Sequence, residues 1–151
     1  MRKINLQLNN IKIPILVGSN ILKTINPENY VKKNDVVIIT NSTIAKLYLK
    51  QTKRMFKDYN VNNLILRDGE KYKNIKTLQQ IHDYLIKNKY DRSLTIVALG
   101  GGVIGDMVAF AADTFMRGVQ LIHIPTTLLA QVDSSIGCLL YTSDAADEHG
   151  C

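Results

Sequence analysis

The sequence predicts a doubly wound, mainly parallel α/β sheet preceded by an N-terminal β-hairpin. Three observations predict it. Short apolar runs rich in β-branched residues (Asp35–Thr40, Val61–Leu66, Leu94–Leu99, Val119–Ile124) alternate with stretches of helical periodicity, the pattern of parallel strands joined by crossover helices. Two segments at the start, Arg2–Leu8 and Ile11–Val17, meet at Asn9-Asn10, a pair that tolerates left-handed turn geometry. Three consecutive glycines, Gly100 to Gly102, separate an apolar strand from an apolar helix.

Taken in order, the hairpin is followed by a mixed stretch, Gly18–Asn34, that holds a short helix. Asp35–Thr40 is a buried strand, and Ser42 or Thr43 caps a helix reaching about Tyr59. After the strand Val61–Leu66 comes a polar stretch, Asp68–Lys73. Ile75, Leu78, Ile81 and Leu85 then recur at helical spacing from Asn74, and that helix stops near Asn88. Leu94–Leu99 is a strand buried on both faces. Val103–Met116 is a helix ended by Gly118, with Arg117 at its negative end. Val119–Ile124 is the last strand, and Pro125-Thr126-Thr127 leads into a helix or ordered loop.

The chain has 151 residues, 46% apolar, enough for one domain with a core. Its net charge is +6, but the lysines are spread along the chain and few aromatics interleave them. That pattern fits a solvated basic surface, or attraction for an anionic small substrate, rather than nucleic acid. No apolar run approaches the length of a membrane span, and Met1–Leu6 lacks the apolar core of a signal peptide. Both cysteines, Cys138 and Cys151, lie in the last fourteen residues, which implies no disulfide framework and fits a cytoplasmic protein.

Ligands of doubly wound sheets bind at the carboxyl ends of the strands. Four polar or glycine-rich stretches fall there: Thr40-Asn41, Asp68–Lys73, Gly100–Asp106 and Pro125–Thr127. Gly100-x-Gly102-x-x-Gly105 has the form of the Rossmann-like dinucleotide fingerprint, in which helix N-terminal N–H groups meet a phosphate. The acid expected about 20 residues later is absent, since that region reads His123-Ile124-Pro125-Thr126-Thr127. The glycines alone are equally a tight packed connection. Asp68, Glu70, Lys71 and Lys73 put two carboxylates and two ammonium groups at a strand end, suited to ribose hydroxyls and phosphates, or to a plain turn. Asp106 in a helix's first turn is explained by the helix dipole. His82 reads as a solvated residue on a charged helix side, and His123 as a strand residue beside the ligand edge. Asp147, Glu148, His149 and Cys151 only superficially suggest metal ligands.

Together, Asp68-Gly69-Glu70-Lys71-Tyr72-Lys73, Gly100–Asp106, Phe115-Met116-Arg117-Gly118 and Ile124–Gly137, with its run Gln131-Val132-Asp133-Ser134-Ser135, resemble the 3-dehydroquinate synthases. The last run separates that family from glycerol and iron-dependent alcohol dehydrogenases of the same fold; other sugar-phosphate cyclases are closer. The resemblance implies an NAD-binding N-terminal domain, a C-terminal helical domain carrying a divalent metal (zinc or cobalt), and a homodimer. The substrate implied is a sugar phosphate, 3-deoxy-D-arabino-heptulosonate 7-phosphate, converted to 3-dehydroquinate and phosphate in the shikimate pathway. A ring hydroxyl is oxidised transiently, phosphate is eliminated, the ketone is reduced and the opened ring closes by an aldol step, so NAD is catalytic without net oxidation.

Carried over by position, Asp68, Gly69, Glu70, Lys71, Tyr72 and Lys73 contact the cofactor. Gly102, Val103, Ile104, Gly105 and Asp106 cradle its pyrophosphate and ribose, and Thr126 and Thr127 bind it further. Asp133 contacts substrate, and Arg117 reaches the substrate phosphate from the partner subunit, placed at a helix end near the sheet's ligand edge. After Gly137 the family reads a second glycine, a lysine and a threonine, whereas this chain reads Cys138-Leu139-Leu140-Tyr141. The expectation is therefore an incomplete NAD-binding domain over 1–137 and a tail, 138–151, foreign to the family. The family's lysine, its metal ligands (a glutamate and two histidines) and its helical domain would lie beyond that break.

Overall fold

The computed structural model describes residues 1–8, 11–31 and 34–135. The predicted Asn9-Asn10 turn, Gly137 and the tail 138–151, with its Asp147, Glu148, His149 and Cys151, lie outside the described residues. Strands β1 (Arg2–Leu8) and β2 (Ile11–Val17) pair antiparallel as a separate two-stranded sheet. A short helix α1 (Ile21–Thr24) and a 3-10 turn (Pro27–Asn29) follow. The main sheet holds β3 (Asp35–Asn41), β4 (Asn60–Leu66), β5 (Thr95–Gly100) and β6 (Gln120–Pro125), all parallel, in the order β4-β3-β5-β6.

Between β3 and β4 the chain forms α2 (Ser42–Ile44), a π-helical turn (Ala45–Leu49) and α3 (Lys50–Met55). The cap is Asn41, one residue before the predicted serine or threonine: its side-chain oxygen accepts from Ile44 N at 2.8 Å. The helix stops at Met55 rather than near Tyr59, because Phe56 turns inward and is fully buried. Helix α4 (Ile75–Lys87) is capped by Asn74, whose oxygen accepts from Thr77 N at 3.1 Å. Helix α5 (Gly102–Thr114) follows the glycine turn, and α6 (Leu128–Val132) follows β6.

Alternation along β3 and β5 assigns the two faces of the sheet. Val37, Ile39, Ile96 and Ala98 pack with Ile81 and Leu85 of α4 and Ile104, Val108 and Ala111 of α5. Val36, Ile38, Val97 and Leu99 point the other way and pack with Phe56, Ile44 and Leu49. Helices on both faces make the fold doubly wound, as predicted. Ile75 departs from the expected stripe. It is the first residue of α4, is 65% exposed, and lies outside the core its spacing suggested.

Helix α5 ends two residues early, at Thr114. Met116 (φ 49°) and Arg117 (φ 63°) then take left-handed conformations before Gly118 (φ 98°), which side chains disfavour and glycine tolerates. His82 is not a free surface residue. Its ring stacks on Phe115 and its Nε2 lies 3.1 Å from Thr114 Oγ1.

These assignments predict opposite outcomes for two isoleucines of α4. In urea melts Ile81→Ala should lose about 2–5 kcal/mol, as a buried large-to-small change does, while Ile75→Ala should stay within about 0.5 kcal/mol. Equal losses would contradict the core described here.

Candidate functional site

The sheet order places one point where successive connections leave on opposite faces. The chain leaving β3 passes to the α3 face, and the chain leaving β5 passes to the α5 face. The crevice between the carboxyl ends of β3 and β5 is thus the switch point at which ligands of such sheets bind. Thr40 and Asn41 border it on one side and Gly100 to Asp106 on the other.

Two loops are braced across this edge. Asp68, after β4, accepts from Asn41 Nδ2 at 2.9 Å and from Thr43 Oγ1 at 2.6 Å. The same Asn41 caps α2, so a single amide ties the β3 loop to the β4 loop. Lys73 Nζ reaches Asp106 Oδ2 at 2.8 Å. Asp106 is 4% exposed, and a buried carboxylate needs such a partner.

Glu70 is exposed in the 3-10 turn Glu70–Tyr72, where Gly69 has φ 120°. Tyr72 lies between Arg67 and Lys71, with the cations 5.8 Å and 5.1 Å from its ring centroid. The hydrogen bond from Arg67 and the nearby Lys71 charge hold its hydroxyl below the usual 10.0.

The glycines divide into two kinds. A methyl at Gly100 would stand 2.7 Å from Ile104 Cβ, and one at Gly101 3.1 Å from the Thr127 methyl. Those two are required by the chain's own strand-to-helix packing. Methyls at Gly102 and Gly105 would meet nothing closer than 3.7 Å. Glycine inside a helix costs up to about 1 kcal/mol against alanine, and no intrachain contact explains it at Gly105.

Beside that turn, buried polar atoms lack partners among the described residues: Asp106 Oδ1, Ser134 Oγ, Thr126 Oγ1 and, across the crevice, Thr40 Oγ1. Buried polar groups are ordinarily hydrogen-bonded. Four unsatisfied ones lie along a single sheet edge, next to the first turn of a 13-residue helix, whose N-terminal N–H groups suit an anion.

His123 lies on the same face of β6 as Leu121, under the first turn of α5. Burial pushes its imidazole below the ordinary 6.5, opposed in part by the Asp106 charge.

The predicted residues therefore separate. Lys73 and Asp106 are joined, and Gly102 and Gly105 lie in the first turn of α5, Gly105 buried against His123 and Ser134. Ile104 is core, so only its backbone faces the site; Val103 is half-buried in the same turn. Thr126 offers a free hydroxyl, whereas Thr127 Oγ1 caps α6 by accepting from Ala130 N at 3.2 Å. Asp133 is exposed just after α6.

Arg117 is not at this edge. Helix α5 runs antiparallel to the strands over about 20 Å, and Gln120 pairs with Thr95 at the start of β5. Arg117 is thus at the amino edge, opposite its own chain's glycine turn. Sequence reasoning placed Thr40 at the ligand edge without giving it a role, and it passed over the hydroxyl of Ser134. Their only signal was position, at a strand end and within the Asp133-Ser134-Ser135 run.

The family model for the N-terminal part of 3-dehydroquinate synthase matches residues 63–140. The 3-dehydroquinate synthase of Hydrogenovibrio crunogenus is 49% identical over 140 residues, 91% of this chain and 38% of that protein. That of Ruthia magnifica is 46% identical over the same shares. The chain thus spans 38% of the length of these relatives. Among solved structures, a 2-deoxy-scyllo-inosose synthase complexed with carbaglucose-6-phosphate, NAD+ and Co2+ matches with a TM-score of 0.81 at 27% identity, covering 88% of this chain and 38% of that one. A 2-epi-5-epi-valiolone synthase from Streptomyces hygroscopicus, with NAD+ and Zn2+ bound, shares the fold, with a TM-score of 0.72 at 23% identity over 85% of this chain and 36% of that one.

Two outcomes test the site. Gly105→Ala should raise stability by about 0.5–1 kcal/mol in urea melts, while Gly100→Ala should lower it, because the new methyl meets Ile104 Cβ at 2.7 Å. For His123, the unfolded chain binds more protons than the folded one between the lowered value and 6.5. Stability should therefore be complete above 6.5 and fall as pH drops through that window, and His123→Gln should flatten the slope.

Proposed function

The chain belongs to the 3-dehydroquinate synthase family, and we propose that it is the NAD-binding part of an enzyme that converts 3-deoxy-D-arabino-heptulosonate 7-phosphate to 3-dehydroquinate and phosphate. The reaction is a phosphate-eliminating carbon–oxygen lyase step, cytoplasmic and run by a homodimer. The observation that most supports the reading is 49% identity to a 3-dehydroquinate synthase across 140 residues. The second support is physical: the unpartnered buried oxygens of Asp106, Ser134, Thr126 and Thr40 lie at the sheet edge beside the start of α5, a chemistry suited to a dinucleotide's pyrophosphate and ribose.

In this reading residues 1–137 are the NAD-binding domain and residues 138–151 are a tail, of which the family model still takes in 138–140. Backbone N–H groups of Gly102 to Ile104 hold the pyrophosphate, the Gly105 N–H being taken by Gly101 O at 2.9 Å. The free Oδ1 of Asp106 accepts from a ribose hydroxyl, and Lys73 Nζ, 2.8 Å from Oδ2, orients that carboxylate. Thr126 Oγ1 binds the cofactor from β6, and Thr127 sets the entry of α6. Asp68 stabilises the pocket wall through Asn41 and Thr43, leaving Glu70, Lys71 and the Tyr72 ring to meet the adenosine side. Asp133, just past α6, meets the substrate. Arg117 serves the partner's substrate phosphate, since it lies at the far edge from its own site. Bound there, NAD supplies reversible hydride acceptance, and the temporary ketone acidifies the neighbouring C–H so that phosphate can leave.

A divalent metal, zinc or cobalt, belongs to the whole enzyme. Among the described residues no group of three His, Cys, Asp or Glu side chains could hold one. No described helix is long and apolar enough to cross a membrane.

The 0.81 match to a 2-deoxy-scyllo-inosose synthase favours one other reading, a sugar-phosphate cyclase acting on a different sugar. An NAD-dependent polyol dehydrogenase and a nucleotide-binding module without catalysis are further alternatives.

The test is phosphate release by the full-length protein. It should release phosphate from the heptulosonate phosphate, require NAD+, and accumulate no NADH. Net NADH from an alcohol would instead identify a polyol dehydrogenase, and release only from a hexose 6-phosphate a different cyclase. The 151-residue chain, given NAD+ and zinc, should release no phosphate above a no-enzyme control. Turnover there would overturn the division at residue 137.

A further inference from the structure

Helix α5 runs out into a backbone that side chains disfavour. Met116 (φ 49°) and Arg117 (φ 63°) are consecutive non-glycine residues in the left-handed region, where Cβ crowds the following carbonyl oxygen. Such a pair persists only where its surroundings over-determine it, and strain of this kind collects at functional sites. Burial of the two side chains does not hold it, since Met116 is 49% exposed and Arg117 is exposed as well. The residues on either side do.

On the far side, Gly118 N donates to Phe115 O and Val119 N to Ala112 O, each at 2.9 Å. On the near side stands His82 of α4. Its ring stacks on Phe115, with centroids 6.4 Å apart and planes 23° apart, and Phe115 is itself buried in the core. Its Nε2 lies 3.1 Å from Thr114 Oγ1. Thr114 has one hydroxyl proton, which goes to Phe110 O at 2.7 Å. Thr114 therefore accepts and His82 Nε2 donates. The platform is firm, because Ile81 and Leu85 fix the same helix to the sheet at full burial. A neighbouring helix thus grips the last two residues before the strained pair, one through its hydroxyl and one through its ring.

We propose that His82 is a positioning residue for Arg117, holding Thr114 and Phe115 so that the left-handed turn aims the guanidinium at a substrate phosphate in the partner's site. The inference rests on the reading above, in which Arg117 serves that phosphate. His82 touches no substrate. An arginine binds phosphate through paired N–H···O bonds of fixed geometry, so a small shift of the turn weakens them.

The test is steady-state phosphate release by the full-length protein, with inhibition by inorganic phosphate and urea melts measured alongside. His82→Ala should raise KM for the heptulosonate phosphate about three- to tenfold and leave kcat within about twofold. Inhibition by inorganic phosphate should weaken by a similar factor. His82→Gln keeps an N–H donor without the ring, and His82→Phe keeps the ring without the donor, so each should raise KM by less. If His82→Ala does not fold, these two carry the test, and an unchanged KM in both overturns the inference. A purely structural role predicts lower stability and lower kcat at unchanged KM. Hybrid dimers locate the defect, using an Asp106→Ala subunit whose own cofactor site is disabled. With His82→Ala on that disabled subunit, the remaining wild-type site should show the raised KM. With His82→Ala on the other subunit, KM should be normal. The reverse pattern, or an unchanged KM in His82→Ala while Arg117→Ala raises it, overturns the inference and leaves the phosphate role of Arg117 standing. An unchanged KM in Arg117→Ala overturns that role, and this inference with it.

Discussion

The parallel pairing of β3 with β5 is the contact from which the other features follow. Val36 to Thr40 lie beside Thr95 to Leu99 in register, and the paired residues are buried on both faces. Because the chain leaves these neighbours toward opposite faces, their carboxyl ends part and a crevice opens between Asn41 and Gly101. No loop needs to be carved to make it. The register also aligns the ends of all four strands, so the polar residues that follow each strand converge although they are far apart in sequence. Asp68 meets Asn41 and Thr43, and Lys73 meets Asp106, because parallel pairing places those loops on one edge.

A packed core and a prepared site leave different residues behind. In the core every apolar position is used: Gly100 is glycine because Ile104 needs the space, and Phe56 closes the opposite face at full burial. At the crevice the logic reverses. Gly102 and Gly105 surrender helix stability without relieving any contact. Ser134, Thr126, Thr40 and Asp106 hold buried oxygens that the described residues do not satisfy. Neither sign would be decisive singly, since one stray hydroxyl or one helical glycine occurs in many folds. Their coincidence at the switch point is what the proposed cradle rests on.

Strand and helix order was legible in the sequence because burial on two faces writes long apolar runs, and burial on one face writes a period. The hairpin and the four parallel strands were placed to within a residue on that basis. Details set by single side chains were not legible. Asn41, Ser42 and Thr43 are all competent caps, and only the Asp68 contact selects Asn41. Ile75 fits the α4 stripe by spacing, but the helix begins before it reaches the sheet. His82 sits among charged neighbours in sequence, yet α5 brings Phe115 and Thr114 beneath it. Within the site, Lys73 was singled out at a strand end and Asp106 just after the glycine turn, but their pairing was not legible. Nor were Ser134 and Thr40, because a hydroxyl has no periodicity and becomes informative only once its partners are seen to be missing.

Arg117 shows how topology constrains a reading that resemblance alone would leave loose. An arginine just after a helix that starts at the glycine turn looks close to that turn in sequence. A crossover helix must instead return the chain to the start of the next strand, so its end lies a helix length away. The local backbone adds a second constraint: Met116 and Arg117 both take left-handed conformations, held by Gly118 N donating to Phe115 O and Val119 N donating to Ala112 O, each at 2.9 Å. Such a turn fixes where the side chain leaves the surface, and here it leaves at the amino edge. If this arginine binds a phosphate in the proposed reaction, the phosphate cannot be in its own chain's crevice. The carboxyl edge of one chain and the amino edge of another would then build a single site.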